Sequence, residues 1–161
     1  MRRRNMDNKD EAIIRILSRQ AHLSSRALSK MTSLPISTVH RRVQRLEAAG
    51  VITGYKALIN YEKTNKPISA LLFVNLAEVV PSKGHVPKKD IVAKFRKYEE
   101  IEEVTEVQAF NFDLILKARL QSLKKLSALI EEFRSIEGIE ELSSAIITEE
   151  TLLQPPIAFK E

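Results

Sequence analysis

Apolar residues recur at helical spacing through the first fifty positions, after which the periodicity changes. Ile13, Ile14, Leu17 and Ala21 fall on one face, with Asp10 and Glu11 ahead of them, where negative charge suits the start of a helix. Leu23-Ser24-Ser25 offers a cap and a fresh start, and Ala27, Leu28 and Met31 line one side of a short second helix ending near Thr32-Ser33. Pro35 forbids simple continuation but is tolerated in the first turn of a third helix. That helix buries Ile36, Val39, Val43 and Leu46 and stops at Gly50. Three short helices with a tight turn between the second and third predict a helix-turn-helix. Beyond it, Val51 to Ile59 reads as two short strands turning at Gly54, a wing.

The polar, proline-containing stretch Tyr61 to Pro67 predicts a linker, and after it the pattern becomes β-rich. Ile68 to Val80 reads as a strand, Lys89 to Tyr98 as a helix, and Glu102 to Phe110 and Phe112 to Leu120 as two strands. Ser122 caps a further helix, with Leu123, Leu126, Leu129, Ile130 and Phe133 inward and Gly138 at its end, and Ile139 to Thr151 is a last strand. The order β-α-β-β-α-β predicts a ferredoxin-like α+β sandwich with helices on one face of the sheet. The organisation is therefore a winged helix-turn-helix over 1–60, a linker over 61–67 and a ferredoxin-like domain over 68–161. Its strands are apolar on both sides: Leu71 and Phe73 alternate with Leu72, Val74 and Leu76, and Ile146 points opposite to Ile147. Helices cover one side only, so the other is expected to pack against the same face of a second subunit, giving a homodimer.

Charge divides along the same boundary. Residues 1–56 hold 12 Lys/Arg against 4 Asp/Glu, a net +8, whereas residues 57–161 hold 14 against 17, a net −3. A polyanion-binding module joined to a mildly acidic one is the simplest account. The outer face of the third helix supplies the chemistry, with Ser37, Thr38, His40, Arg41, Gln44 and Arg45, and Arg42 at its margin. Arg addresses guanine bidentately, Gln addresses adenine, and Ser or Thr reaches a base edge or a phosphate, so this face suits the major groove of double-stranded DNA. A solvated polar helix face would show the same residue types, and Arg42 has the alternative of pairing with an acid inside its own domain. Lys56 in the wing is placed to meet the sugar–phosphate backbone, and Met1 to Arg4 forms a basic arm too short to fold by itself.

Other chemistries find little support. There are no cysteines, and the three histidines, His22, His40 and His85, stand apart without metal-ligand spacing or an acid–base partner. No catalytic role, metal or cofactor is expected. No apolar run approaches the roughly 20 residues of a membrane-spanning helix, and the charged start MRRRNMDNKD lacks the apolar stretch of a secretory signal. The expectation is a cytoplasmic protein. The terminal QPPIAFKE reads as an extended tail after two prolines.

The helix-turn-helix ending in R-R-V-Q-R-L-E-A-A-G-V-I-T-G-Y, Arg41 to Tyr55, followed by this domain, resembles the Lrp/AsnC or feast/famine transcription regulators. Leu46 to Tyr55 is the most specific part of the likeness, and N-F-D-L-I-L, Asn111 to Leu116, supports it in the second half. The segment L-P-I-S-T-V-H-R also looks like IclR-type regulators, which are longer chains with a different effector domain. The Lrp/AsnC resemblance implies a C-terminal domain of RAM type and a dimer that often assembles further, into an octamer or disc. It also implies binding to palindromic operators and adjustment by an amino-acid effector near the turn joining the second and third strands of that domain. On this ground Asp113 is carried over as an effector contact. The family pattern there is G-x-x-D, and Phe110 stands where its glycine would be, so a bulky ring would fill the pocket or change its ligand. Two alternatives remain open at this point: an architectural, chromatin-like protein coating DNA, and a homologue of haem-pathway decarboxylases that share the two-domain plan.

Overall fold

Asp7 opens the first helix in the computed structural model, which describes residues 6–80, 84–109 and 111–151. Its carboxylate accepts the backbone N–H groups of Lys9 and Asp10 at 3.0 and 2.9 Å, satisfying two donors at the start of α1 (Asn8–Leu17). Ser24 does the same for α2 (Ser25–Thr32) by accepting from Ala27 N–H at 3.2 Å. Ser33 then turns the chain in the left-handed region, φ 56°, and the Ser29 hydroxyl stitches the turn by donating to the Leu34 carbonyl at 2.5 Å. Pro35 precedes α3 (Ile36–Ala48) and Gly50, at φ 67°, ends it. Ile13, Leu17, Leu28, Val39 and Leu46 form the core of the three helices, with Leu34, Val43 and Ile52 packed around it. Each large side chain so buried contributes about 1.5–3 kcal/mol. Two residues expected inward are not: Met31 and Ile36 are about half exposed.

Among the described residues, the two short strands read over Val51 to Ile59 do not pair with each other. The amides of Val51 and Ile52 both donate to the Leu46 carbonyl, at 2.9 and 3.2 Å, so they close the end of α3 and are unavailable for a ladder. Residues 53–60 follow without a strand partner among the described residues, with Tyr55, Leu58 and Ile59 exposed.

A second compact unit spans Asn60–Glu150. The second begins with a short 3-10 turn, Tyr61–Lys63, within the stretch read as linker. Its elements are β1 (Ile68–Leu76), α4 (Lys88–Phe95), β2 (Ile101–Glu106), β3 (Leu114–Leu120), α5 (Leu123–Arg134) and β4 (Ile139–Ile147). The sheet order β2-β3-β1-β4, with every neighbouring pair antiparallel, is that of a ferredoxin-like sandwich. Its strands are shorter than the apolar pattern predicts. β1 gives way to an isolated Val80–Gly84 bridge, and beyond β2 the Val107 amide donates to the Asp113 carbonyl at 2.9 Å.

Ala70, Leu72, Val74, Leu114, Leu116, Ala118 and Leu142 face the helices and are buried against Ile91, Phe95, Leu126, Leu129 and Phe133. Phe133 packs on Phe95 and Tyr98 with ring centroids 4.9 and 4.7 Å apart, pairs that each add about 0.5–1.5 kcal/mol beyond their burial. Gly138 is required where it stands: φ is 100°, and a Cβ there would lie 2.8 Å from Ile91 Cδ1. The helix-free side is more mixed than the apolar pattern predicts. By register it carries Leu71, Phe73, Ile115 and Ile147 alternating with Ser69, Ser143, Lys117 and Arg119. Ile146 pairs with Ala70 and so lies on the helix side, at a margin that leaves it exposed.

Candidate nucleic-acid interface

The third helix sorts its cations by what holds them. Ser37, His40, Arg41 and Gln44 are exposed and have no partner among the described residues. Thr38 is half-buried on the same turn as Ser37. Arg42 is committed inward: its Nη1 donates to Asp7 at 2.7 Å and to Asp10 at 2.7 Å, and its side chain is only 15% exposed. Arg45 lies between these cases, with Nη2 bonded to Asp10 at 2.5 Å while its side chain stays 55% exposed. Of the three arginines read as reaching DNA, Arg42 is therefore not free to do so, because two acids of the first helix already occupy its guanidinium.

The electrostatics follow from these bonds. The Asp10 amide and then the Arg42 guanidinium hold the Asp7 carboxyl below its ordinary range, and the acids in turn raise Arg42 further. Asp10 is 2% exposed and its two oxygens are divided between Arg42 and Arg45. Sequence reading had placed Asp10 only as a favourable charge at a helix start; the acid pairing considered for Arg42 was the one available signal. Lys56 is exposed on the extended segment. Beside it the Tyr55 hydroxyl donates to Glu47 at 2.7 Å, which ties that segment to α3 and pushes the Tyr55 hydroxyl up.

In the second unit Asp113 is occupied by its own fold. Its Oδ2 accepts the Leu76 amide at 3.0 Å and its Oδ1 pairs with Lys88 Nζ at 3.3 Å, so it fastens the end of β1 to the turn before β3. Phe110, the residue in the glycine position, lies outside the described residues, as do Met1 to Arg4 and the QPPIAFKE tail. Phe112 packs tilted against Phe73 with ring centroids 5.2 Å apart, and with Asn111, Glu141 and Ser143 the two rings line an open hollow of about 290 Å³. On the helix-free side Arg119 lies under the Tyr61 ring at 4.0 Å and pairs with Glu150 at 3.3 Å and Glu102 at 3.5 Å. Lys117, then Arg119, hold the Glu150 carboxyl below its ordinary range. No three His, Asp or Glu side chains gather as a metal set among the described residues, and none of their helices is long and apolar enough to cross a membrane.

A helix-turn-helix with a polar, cation-bearing third helix, followed by a separate βαββαβ unit, defines a class: DNA-binding regulators that carry a ligand-binding domain. A family model for winged helix-turn-helix DNA-binding matches residues 6–53, and the Lrp/AsnC ligand binding domain matches residues 79–157. The HTH-type transcriptional regulator FL11 of Pyrococcus furiosus is 31% identical over 142 residues, 88% of this chain and 89% of that one. The leucine response regulatory protein of Mycobacterium tuberculosis superposes with a TM-score of 0.75 at 26% identity, over 94% of this chain and 99% of that one. A transcriptional regulator of Neisseria meningitidis, solved in complex with L-Met, shares the fold with a TM-score of 0.81 at 22% identity, over 96% and 97% of the two chains. The chain belongs to the Lrp/AsnC family: it is a helix-turn-helix transcription regulator with a ligand-binding domain.

Proposed function

We propose that the chain works as a dimer that sets two copies of α3 into successive major grooves of a pseudo-palindromic operator, about 34 Å apart. The observation that carries this reading is the outward row of α3, where Ser37, His40, Arg41 and Gln44 are exposed with no partner among the described residues. Thr38 and Arg45 complete the face, Lys56 reaches the flanking backbone, and Arg42 supports the helix from behind. The helical unit over 1–60 then binds DNA, and the unit beyond the linker assembles the protein and receives its effector. The helix-free face of the sheet, with Leu71, Phe73, Ile115 and Ile147, is the surface for dimer formation, with octamer assembly beyond it.

For the effector, the L-Met complex of the Neisseria relative supports an amino-acid-like ligand. The hollow beside the turn before β3 is its place, with Asp113 fastening that turn instead of touching the ligand. The relatives compared above are regulators, so we assign no catalytic activity, and the protein acts on the chromosome in the cytoplasm. A gel-shift assay tests the reading: changing Arg41 and Arg45 together to alanine is expected to abolish retention of operator DNA while sedimentation still reports the dimer. Undiminished retention would overturn it. Discrete genomic sites are expected in a footprint, whereas continuous coverage would mark a DNA-coating protein.

A further inference from the structure

Two arginines one helical turn apart on the exposed face of α3 differ in one respect. Arg41 has no partner among the described residues, whereas Arg45 donates one terminal nitrogen to Asp10 at 2.5 Å. Asp10 is not on α3 at all. It projects from the first turn of α1, is buried to 2% exposure, and is fixed from the other side by Arg42, which Asp7 also grips at 2.8 and 2.7 Å. The four side chains form a neutral cluster with one exposed terminus, the Arg45 guanidinium, 55% exposed and with no partner among the described residues for its remaining nitrogens.

Both oxygens of the buried Asp10 carboxylate need partners, and Arg45 supplies one of them while its own side chain stays 55% exposed, so a structural purpose and a hold on Arg45 coincide in one bond. A guanidinium held at one edge by a fixed carboxylate loses rotamer freedom before DNA arrives and presents its other edge in one orientation, the condition for bidentate contact with guanine. Because the cluster is neutral, Arg45 also adds less than Arg41 to the sequence-independent attraction of phosphates. We propose that Asp10 is a positioning residue for sequence reading, holding Arg45 as an anchored base contact while Arg41 acts as an unanchored phosphate contact. This rests on the DNA-binding reading of α3.

The test uses the full chain, a duplex recovered by in vitro selection on the wild-type protein, and a scrambled duplex of the same length and composition. Asp10→Asn is expected to reduce the ratio of the two affinities about tenfold, the scale of one good base contact, with the scrambled duplex bound as well or slightly better. In an Arg45→Ala background the same change is expected to alter the ratio less than about twofold, since its target is gone. A structural role would lower both affinities together and leave their ratio unchanged, and that result overturns the proposal. Arg45→Lys leaves the Asp10–Arg42 pair intact and keeps the charge, so it reads the same contact if Asp10→Asn fails to fold. It should lose discrimination and retain scrambled binding, and retained discrimination overturns the proposal. Failure of the wild-type chain to select any sequence would instead overturn the reading of α3 as a sequence-specific DNA contact.

Discussion

On the third helix Arg41 is exposed with no acid beside it among the described residues, whereas in the second unit Lys66, Lys88, Lys117 and Arg119 each lie beside a carboxylate, from Glu99, Asp113, Glu150 and Glu102 respectively. The residue types are the same and the use is opposite. A cation left unpaired on a surface is available to a polyanion, while one closed by a carboxylate from its own fold orders that fold and offers no field outward. The net charges of +8 and −3 on the two parts of the sequence count residue types, and the bonds show which of the cations are closed by an acid.

The comparison can be broken from either side. Arg119→Ala should have the largest effect, because it removes the buried cation that Glu102 and Glu150 share under the Tyr61 ring and leaves Glu150 with Lys117 alone. A loss of about 3 kcal/mol is expected in urea unfolding, with the helical unit unaffected by far-ultraviolet signal at low denaturant. Importing the self-pairing device into the other region comes next. Ser37→Glu sets a carboxylate one turn before Arg41, and it should weaken DNA binding at least about tenfold at 0.1 M salt. Stability should not fall, since negative charge in the first turn of α3 suits its dipole; a gel shift and a thermal melt read the two effects separately. Arg41→Ala should reduce the slope of log affinity against log salt by about one, with stability changed by less than about 0.5 kcal/mol.

The smallest effect is the acid limb. Asp7 and Glu150 bind their protons less readily in the folded chain than in the unfolded one. The unfolded state therefore takes up more protons between the two values, and their contribution is complete above the ordinary carboxylate range and fades as pH falls through the lowered folded values. Urea midpoints measured from about pH 5 downward should decline, and Glu150→Gln should flatten part of that decline.

Where local chemistry decides the structure, the sequence was a sufficient guide. Ser24, Pro35 and Gly50 punctuate three helices whose apolar spacing is regular, and Ser122 opens α5 in the same way, although that helix ends at Arg134, ahead of Gly138. The order of strands and helices in the second unit was legible for that reason. The start of the wing's first strand was not, because the Leu46 carbonyl takes the amides of Val51 and Ile52, a choice the alternation of residues does not encode. The DNA-facing row could be read from one face of α3, but which of its arginines is free could not. Arg42 meets Asp7 across 35 residues of chain, and Lys117 meets Glu150 across 33. Pairings of that span depend on how elements pack, so they were visible only as residue types waiting for a geometry. Asp113 belongs to the same group: its bond to the Leu76 amide spans 37 residues.

The carboxylate of Asp7 belongs to two elements at once, accepting the amides that begin α1 and gripping Arg42 of α3. The fraying of a helix end, ordinarily a local event of small free energy, is therefore coupled to the recognition helix. When the first turn of α1 opens, Arg42 loses a partner and Asp10 loses its frame. The exchange rate of the Lys9 and Asp10 amides with deuterium becomes a remote gauge of how firmly α3 is held, and should slow when α3 is engaged.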